Sequence, residues 1–317
     1  MNWNKLRVMA IAGLAMLTWG GAPALAEYPE KPITLVIPLG AGGSHDLNAR
    51  VITSIIPQHL NQAMIVQLNP GASGQKGTQE VANATADGYT LLFSHNYIDM
   101  LQQHVENLPY DPNADFVPVA RVNYAPIAVV VRGDSPINSF DELIAAAKSG
   151  TVTMAHSGNW GALFVPAAQI MKAKEASFNL VPYKGGGPAM QALLAGDADV
   201  TMGFPSTLSP LIASGDVKVL ATAGKERIYD DVPSFGELGI GGDVGFMHRV
   251  VLAPAGTPDD VLKTLGDAFS ALQEDKTYTR MMGRLGENTD YIGGAEYQKM
   301  REDQNSAYKD LVATITN

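Results

Sequence analysis

The stretch Pro38-Leu39-Gly40-Ala41-Gly42-Gly43-Ser44-His45-Asp46 lies between an apolar run, 33–37, and a run compatible with a helix, 47–60. This order predicts a buried strand, a glycine turn and the start of a helix. Glycines allow positive φ angles and let a backbone approach a ligand closely. The first N–H groups of the helix, with Ser44 or Asp46 as the predicted N-cap, suit an anion. Tight packing alone is the alternative reason for such a turn.

The turn does not match the nucleotide-binding motifs. The dinucleotide fingerprint needs a third glycine where His45 stands, and the second glycine cluster, 74–78, reads Gly-Gln-Lys-Gly-Thr, which reverses the order of a P-loop. We therefore expect neither a nucleotide nor any other cofactor.

The first 26 residues have the pattern of a secretory signal peptide. Lys5 and Arg7 precede an apolar run, 8–19, and Ala24-Leu25-Ala26 forms a small-residue cleavage pattern. Because the run is too short to cross a bilayer as a helix, we expect a cleaved leader and a mature protein in the periplasm; the alternative is an uncleaved anchor. The chain has no cysteine, so the exported protein folds without disulfides.

The composition limits the partners. The chain of 317 residues has 22 basic and 32 acidic residues, and the leader holds two of the basic ones and none of the acidic ones, so its removal changes the net charge from −10 to −12. A negative chain disfavours nucleic acid and anionic membrane surfaces as partners. It does not disfavour a small anion, because backbone N–H groups bind one locally. The remaining length predicts about two domains.

Repeated strand, turn and helix signals predict the α/β class. The carboxyl ends of neighbouring strands converge in such a sheet, so the 39–46 turn and the 94–97 turn are expected to face one ligand. A second unit begins near Ile127, after a proline-rich stretch, 108–126, that is expected to be irregular. The chain then returns to the first unit. The predicted domains are 27–126 plus 250–317 and 127–249, joined by two crossovers. Predicted strands are 33–37, 64–68, 90–94, 127–132, 152–155, 200–203 and 250–253, and predicted helices are 47–60, 77–84, 139–148, 162–173, 189–194, 259–273 and 295–312, with a further one starting at 204–206.

A series of short motifs resembles one known family. The chain resembles the periplasmic solute receptors of tripartite tricarboxylate transporters, the Bug family. The resemblance implies a two-domain periplasmic-binding-protein fold of type II, a Venus flytrap. It also implies a monomer that closes on a small organic acid, either a di- or tricarboxylate or an aromatic carboxylate, and delivers it to integral membrane subunits. The motifs are Tyr28-Pro29 with 31–33, Gly42-Gly43 with Asp46 and Arg50, 69–72, 87–92, 108–112, 181–185, 194–197 and 252–258.

The resemblance implies a binding cleft built from four turns, with backbone amides of the Gly42–Asp46 loop holding a carboxylate. No catalytic residue and no metal ligand is expected. The candidate ligand-binding residues are Leu39, Gly42, Gly43, Ser44, His45, Asp46, Ser94, His95, Asn96, His156, Ser157, Gly158, Asn159, Trp160, Tyr183, Phe204, Pro205 and Ser206.

Some candidates depart from the family pattern. His45 stands where a small residue is common, Trp160 replaces a frequent glycine, Phe164 a frequent histidine, and the turn 95–97 is bulkier than usual. These side chains either fill space or shape a pocket of different specificity. In the second case an aromatic acid stacked on Trp160 is expected.

Two other functions compete with a receptor. Ser44-His45-Asp46 contains the residue types of a hydrolase triad, but consecutive residues at a helix start point in different directions and form no relay. The histidines have no metal-ligand spacing. The ligand-sensing half of a transcription regulator shares this fold, but the signal peptide and the lack of DNA-binding helices disfavour it.

Overall fold

The computed structural model describes residues 28–150, 152–241 and 245–316, and the predicted signal peptide lies outside the described residues. The described chain is α/β, as predicted, with helices packed on two β-sheets. In chain order the strands are β1 (Ile33–Ile37), β2 (Met64–Leu68), β3 (Thr90–His95), β4 (Phe116–Pro126), β5 (Ala128–Arg132), β6 (Thr153–His156), β7 (Asn179–Pro182), β8 (Val200–Gly203), β9 (Val217–Thr222), β10 (Phe246–Pro254) and β11 (Ile292–Gly293).

The helices occupy the connections between these strands. Short non-α turns lie at Ala72–Gly74, Tyr97–Leu101 and Gln102–His104. The α-helices are α1 (Ser44–Ile55), α2 (Pro57–Leu60), α3 (Gln75–Ala82), α4 (Phe140–Lys148), α5 (Phe164–Lys174), α6 (Gly186–Ala195), α7 (Pro205–Ser214), α8 (Asp259–Glu274), α9 (Lys276–Arg284) and α10 (Gly294–Thr316).

The first sheet has the strand order β11-β4-β10-β3-β1-β2. Strand β1 runs parallel to both β2 and β3, with Leu35 opposite Val66 and Leu91, whereas β10 runs antiparallel to β3 and β4. The loops that follow β1 and β3 therefore leave the same edge of the sheet. We call this sheet, with α1–α3 and α8–α10, the first lobe.

The second sheet has the order β7-β6-β8-β5-β9, with β6 parallel to β7 and β8 and β5 antiparallel to β8 and β9. We call this sheet, with α4–α7, the second lobe. The chain passes from the first sheet to the second between β4 and β5 and returns between β9 and β10, which gives the two predicted crossovers. The predicted domain limits stay a prediction.

Both sheets are buried on both faces, which explains the continuous apolar runs in the sequence. In β1, Leu35 packs in one core of the first lobe and Val36 in another, because successive side chains point to opposite faces. In β5, Val129 and Val130 divide in the same way. These runs were predictable as strands.

The prediction of an irregular stretch at 108–126 is wrong for its second half. Residues Phe116–Pro126 form β4, which lies inside the sheet between β11 and β10. Its prolines sit where a strand tolerates them: Pro118 pairs with Leu252 at a register shift, and Pro126 is the last residue of the strand.

Candidate functional site

The loops of the two lobes meet around a space of about 360 Å³, part of which is open to solvent; we call it the inner cavity. The turns after β1 and β3 both reach it, as their parallel pairing requires. The first lobe contributes Leu39, Gly40, Gly43, Ser44, His45, His95 and Met247, and the second lobe contributes Ser157, Ala162, Leu163, Gly186 and Phe204.

Helix α1 starts at this cavity without a side-chain cap. Its N-cap is Gly43, in an extended conformation, so the prediction of Ser44 or Asp46 as the cap is wrong. Asp46 instead turns back from the first turn, where its Oδ2 accepts the N–H of Gly42 at 2.9 Å and its Oδ1 lies 2.9 Å from Nε of Arg50. Within the described chain the N–H groups of Ser44 and His45 have no hydrogen-bond partner. They remain open to an anion.

Helix α6 of the second lobe also starts at the inner cavity. Its N-cap is Gly185, with no side-chain cap, and the N–H groups of Gly186 and Gly187 have no partner among the described residues. Two helix starts from different lobes, each with unpaired N–H groups and a positive dipole end, therefore meet at one cavity. This arrangement suits a single anion that contacts both lobes.

The two helix starts touch through backbone alone. The N–H of Gly40 donates to the carbonyl of Lys184 at 2.8 Å. A Cβ on Gly40 would lie 2.6 Å from that oxygen, and one on Gly187 would lie 2.3 Å from the carbonyl oxygen of Ala41. We call Gly40, Gly43, Gly185 and Gly187 the glycine seam. Only residues without a side chain permit this contact.

His45 and His95 form a buried pair in the inner cavity, with ring centroids 5.1 Å apart. Burial, followed by the charges of His95 and Arg249, holds the pKa of His45 well below its ordinary value. Burial and Arg249 lower the pKa of His95 to about 3. Both rings are therefore neutral at pH 7. Nε2 of His45 lies 3.1 Å from the carbonyl oxygen of Ser94, which only accepts, so the geometry assigns the proton to Nε2 and leaves Nδ1 as an acceptor.

A buried polar cluster beside the cavity was not predicted. Arg249 is fully buried and binds both carboxylate oxygens of Glu287, at 2.8 and 2.9 Å. From the second lobe, the N–H of Ser206 donates to Glu287 at 3.1 Å and its hydroxyl donates to Oγ of Ser44 at 3.0 Å. The charge of Arg249 is thus matched within the protein. We call the cluster the Arg249 network, formed by Ser44, Asn48, Asn123, Ser206, Arg249 and Glu287.

A second cavity of about 550 Å³, the outer cavity, adjoins the first and shares Leu39 and Ser157 with it. Three other predicted residues, Gly158, Asn159 and Tyr183, lie here. Gly158 has a φ of +105°, and a Cβ there would lie 2.8 Å from Oγ of Ser73, so the lobes also approach closely at this point.

Several predicted residues lie in neither lining. The side chain of Asn96 donates to the carbonyl of Phe246 and the hydroxyl of Tyr308 and accepts the N–H of His248, so it ties β3 to β10 and α10. The N–H of Gly42 donates to Asp46, the carbonyl of Ser94 contacts the ring of His45, and Ser206 donates to Ser44. Pro205 is the first residue of α7.

Trp160 and His156 pack within the second lobe. Their ring centroids lie 5.3 and 5.4 Å from that of Phe164, and Nδ1 of His156 lies 3.1 Å from the carbonyl oxygen of Gly158. Neither residue lines the inner or the outer cavity. Two of the departures from the family pattern, Trp160 and Phe164, thus contact each other.

The triad residue types do not form a relay. Nε2 of His45 faces the Ser94 carbonyl and the carboxylate of Asp46 faces Gly42 and Arg50. In the part of the chain that the structure describes, no group of three or more metal-binding side chains is assembled, and none of the helices there is long and apolar enough to cross a membrane.

Comparison with known proteins identifies the family of this chain. Residues 48–316 match the model of the tripartite tricarboxylate transporter family receptor. The chain belongs to this receptor family. The receptor is 32% identical to Protein BugT of Bordetella pertussis over 295 residues, which is 89% of each chain. Among solved structures, the periplasmic binding protein BugD is similar with a TM-score of 0.86 and 28% identity, covering 91% of this chain and 99% of that one. MatC of Rhodopseudomonas palustris with bound malate has a TM-score of 0.84 and 26% identity, covering 90% and 100%.

Five residues of the receptor line the inner cavity but were not predicted to do so. Some of them carry a signal in the sequence and others do not. Gly40 and Gly186 stand in glycine clusters, which were a usable signal. Ala162, Leu163 and Met247 are ordinary apolar residues that line the inner cavity only because the fold brings them there.

Proposed function

We propose that this receptor binds a small organic carboxylate between its lobes in the periplasm, after removal of residues 1–26, and delivers it to integral membrane subunits of a tripartite tricarboxylate transporter. The observation that carries the proposal is the meeting of two uncapped helix starts, those of α1 and α6, at one cavity. The malate bound to the related MatC supports a carboxylate as the ligand class.

The carboxylate accepts N–H groups of Ser44 and His45 from one lobe and of Gly186 and Gly187 from the other. Hydrogen bonds to a charged group stabilise by roughly 1.5–3 kcal/mol each. The full donor set exists only while the lobes touch, so the ligand favours the closed form by its greater affinity for that form. In this proposal residues 27–126 plus 250–317 move as one unit against 127–249, in a monomer.

The receptor acts by binding, without turnover. The test is a panel of organic acids, including malate, citrate and benzoate, in thermal-shift and calorimetric measurements, with the recovered acid checked by NMR. We expect at least one acid to raise the melting temperature and to be recovered unchanged. Chemical conversion of the acid, or a melting temperature unchanged by every acid, would contradict the proposal.

A further inference from the structure

Apart from the two helix starts, the lining of the inner cavity is apolar or uncharged. Leu39, Leu163, Phe204 and Met247 present apolar side chains from both lobes, and the polar side chains that complete it are Ser44, Ser157, His45 and His95. Oγ of Ser157 accepts the N–H of Leu163, and Oγ of Ser44 accepts hydrogen bonds from Arg249 and Ser206. Beyond the helix starts, the polar groups that can meet a ligand are therefore the hydroxyl of Ser157, which has a proton to donate, and the histidine pair.

No cation is placed to meet a second carboxylate in this cavity. Among the described residues none of the lining side chains is a lysine or an arginine. Arg249 lies beside the cavity, but Glu287 takes up its charge and Asn123 and Ser44 take up further hydrogen bonds. Burying an ionised carboxylate without a partner is costly, so a ligand with two carboxylates would leave one of them unmatched here.

The histidine pair offers no positive charge to an anion. His95 is 2% exposed, its ring makes no hydrogen bond to the other described residues, and its buried Nδ1 has no partner. Its pKa of about 3 keeps the ring neutral. His45 has its proton committed to the Ser94 carbonyl, so its Nδ1 only accepts. The Nδ1 acceptor of His45 repels a carboxylate oxygen, whereas the neutral ring of His95 has one nitrogen that donates and one that accepts. A hydroxyl, which both donates and accepts, therefore matches the pair.

We propose that the physiological ligand is a small aliphatic hydroxy-monocarboxylate, whose hydroxyl group hydrogen-bonds the His45–His95 pair while its single carboxylate binds the two helix starts. This inference rests on the proposed function and specifies its ligand class. It sets this receptor apart from the related MatC, whose bound malate carries two carboxylates.

Two matched sets of acids test the inference by calorimetry on the mature protein at pH 7.5. Each set keeps the chain length and changes only the far end: 4-hydroxybutyrate, succinate and butyrate in one, and 6-hydroxyhexanoate, adipate and hexanoate in the other. We expect the hydroxy acid to bind at least tenfold more tightly than the dicarboxylate of its own length in one set or both. A smaller preference in both sets, or a preference for the dicarboxylate, overturns the inference.

The same panel separates this inference from the proposed function. If none of the six acids binds but malate, citrate or benzoate does, the hydroxy-monocarboxylate is wrong and the carboxylate receptor stands. If no carboxylate binds at all, both are wrong.

A His95→Leu variant tests the partner of the hydroxyl. Leucine keeps an uncharged side chain in the cavity but removes the hydrogen bond, so the preference for the hydroxy acid over the plain alkyl acid should fall to within about threefold. His59→Leu is the control, because His59 lies on α2 beside Asp275 and outside the cavity. An unchanged preference in His95→Leu overturns the role of His95, and the wild-type panel decides the ligand class even if this variant does not fold.

Discussion

The glycine seam and the Arg249 network join the same two lobes beside the same cavity, by opposite means. The seam brings backbone against backbone and has no side chains, with Gly40 donating to Lys184. The network is made of buried side chains, with a charged pair, Arg249 and Glu287, at its centre. The seam depends on glycines that have no side chain, and the network depends on polar and charged side chains.

The comparison shows how the lobes can separate without exposing an unpaired charge. Both members of the ion pair belong to the first lobe, and the second lobe contributes the N–H and hydroxyl of Ser206 and the ring of Phe204, whose centroid lies 5.8 Å from Cζ of Arg249. In the proposed opening, only neutral groups leave the network and the backbone hydrogen bond of the seam between Gly40 and Lys184 breaks, while the buried pair stays intact. In this proposal the network is a fixed platform, and the seam is the reversible contact.

The largest expected effect comes from breaking the platform. Glu287→Ala leaves the guanidinium of Arg249 buried without its carboxylate, which should lower the free energy of unfolding by about 3–5 kcal/mol. Urea denaturation of the free protein measures this. The matched control is Asp267→Ala, which removes an ion pair with Lys263 that is exposed at both ends and should cost at most about 1 kcal/mol. Equal effects of the two substitutions would contradict a platform.

Blocking the seam should act on binding rather than on folding. In Gly187→Ala the added Cβ meets the carbonyl of Ala41 only when the lobes touch, so the clash, about 1–3 kcal/mol for overpacking, is relieved in the open form. Affinity for the best carboxylate should fall roughly five- to 150-fold at nearly unchanged stability. Calorimetry measures the affinity, and Gly266→Ala, whose Cβ would meet nothing within 4 Å, is the control. Unchanged affinity would show that the seam does not limit closure.

Acid should weaken the protein through its buried histidines. The folded pKa of His95 is about 3, against about 6.5 for an unfolded histidine, so its contribution is fully present above pH 6.5 and is lost as the pH falls towards 3. In that window each such histidine should cost about 1.4 kcal/mol per pH unit. Denaturation of wild type and His95→Leu from pH 7 to 4 measures the slope, which should be smaller by about one proton in the variant. Identical slopes would mean that His95 is protonated in the folded protein.

The smallest effect on binding is expected at Trp160. Its ring packs on Phe164 and lies outside both cavities, so Trp160→Ala should lower the melting temperature and leave affinity within about twofold. Thermal melts and calorimetry on the same preparation compare the two. A fall in affinity of fivefold or more would return Trp160 to the site, and with it the aromatic acid that the sequence suggested.

The sequence carries a signal for the seam because the requirement of the seam is local. A Cβ is forbidden at particular residues, and glycine clusters record that directly, as at 40–43 and 185–187. Strands β1 and β5 were predictable from the sequence, because burial on both faces requires continuous apolar runs. Strand β4 was not, because its prolines occupy a register shift and a strand end that only the pairing reveals.

The Arg249 network has no such local signal in the sequence. Asn48 and Glu287 lie 239 residues apart, and each is an ordinary helix or loop residue in its own surroundings. Only the fold assembles them around Arg249. The same holds for Met247 and Leu163 in the inner cavity, whose apolar side chains do not differ in sequence from those of the core. The glycine turn before α1 was predictable from local residues, and the contacts assembled from distant side chains were not.

A crystal structure of the receptor with its tightest-binding carboxylate tests the central claim most directly, namely that two helix starts from different lobes hold one anion. We predict that the carboxylate accepts N–H groups of Ser44 or His45 from α1 and of Gly186 or Gly187 from α6, with Arg249 still bound to Glu287. A carboxylate forked by Arg249, Arg50, Arg121 or Arg132, or one bound to a single lobe, would contradict the account.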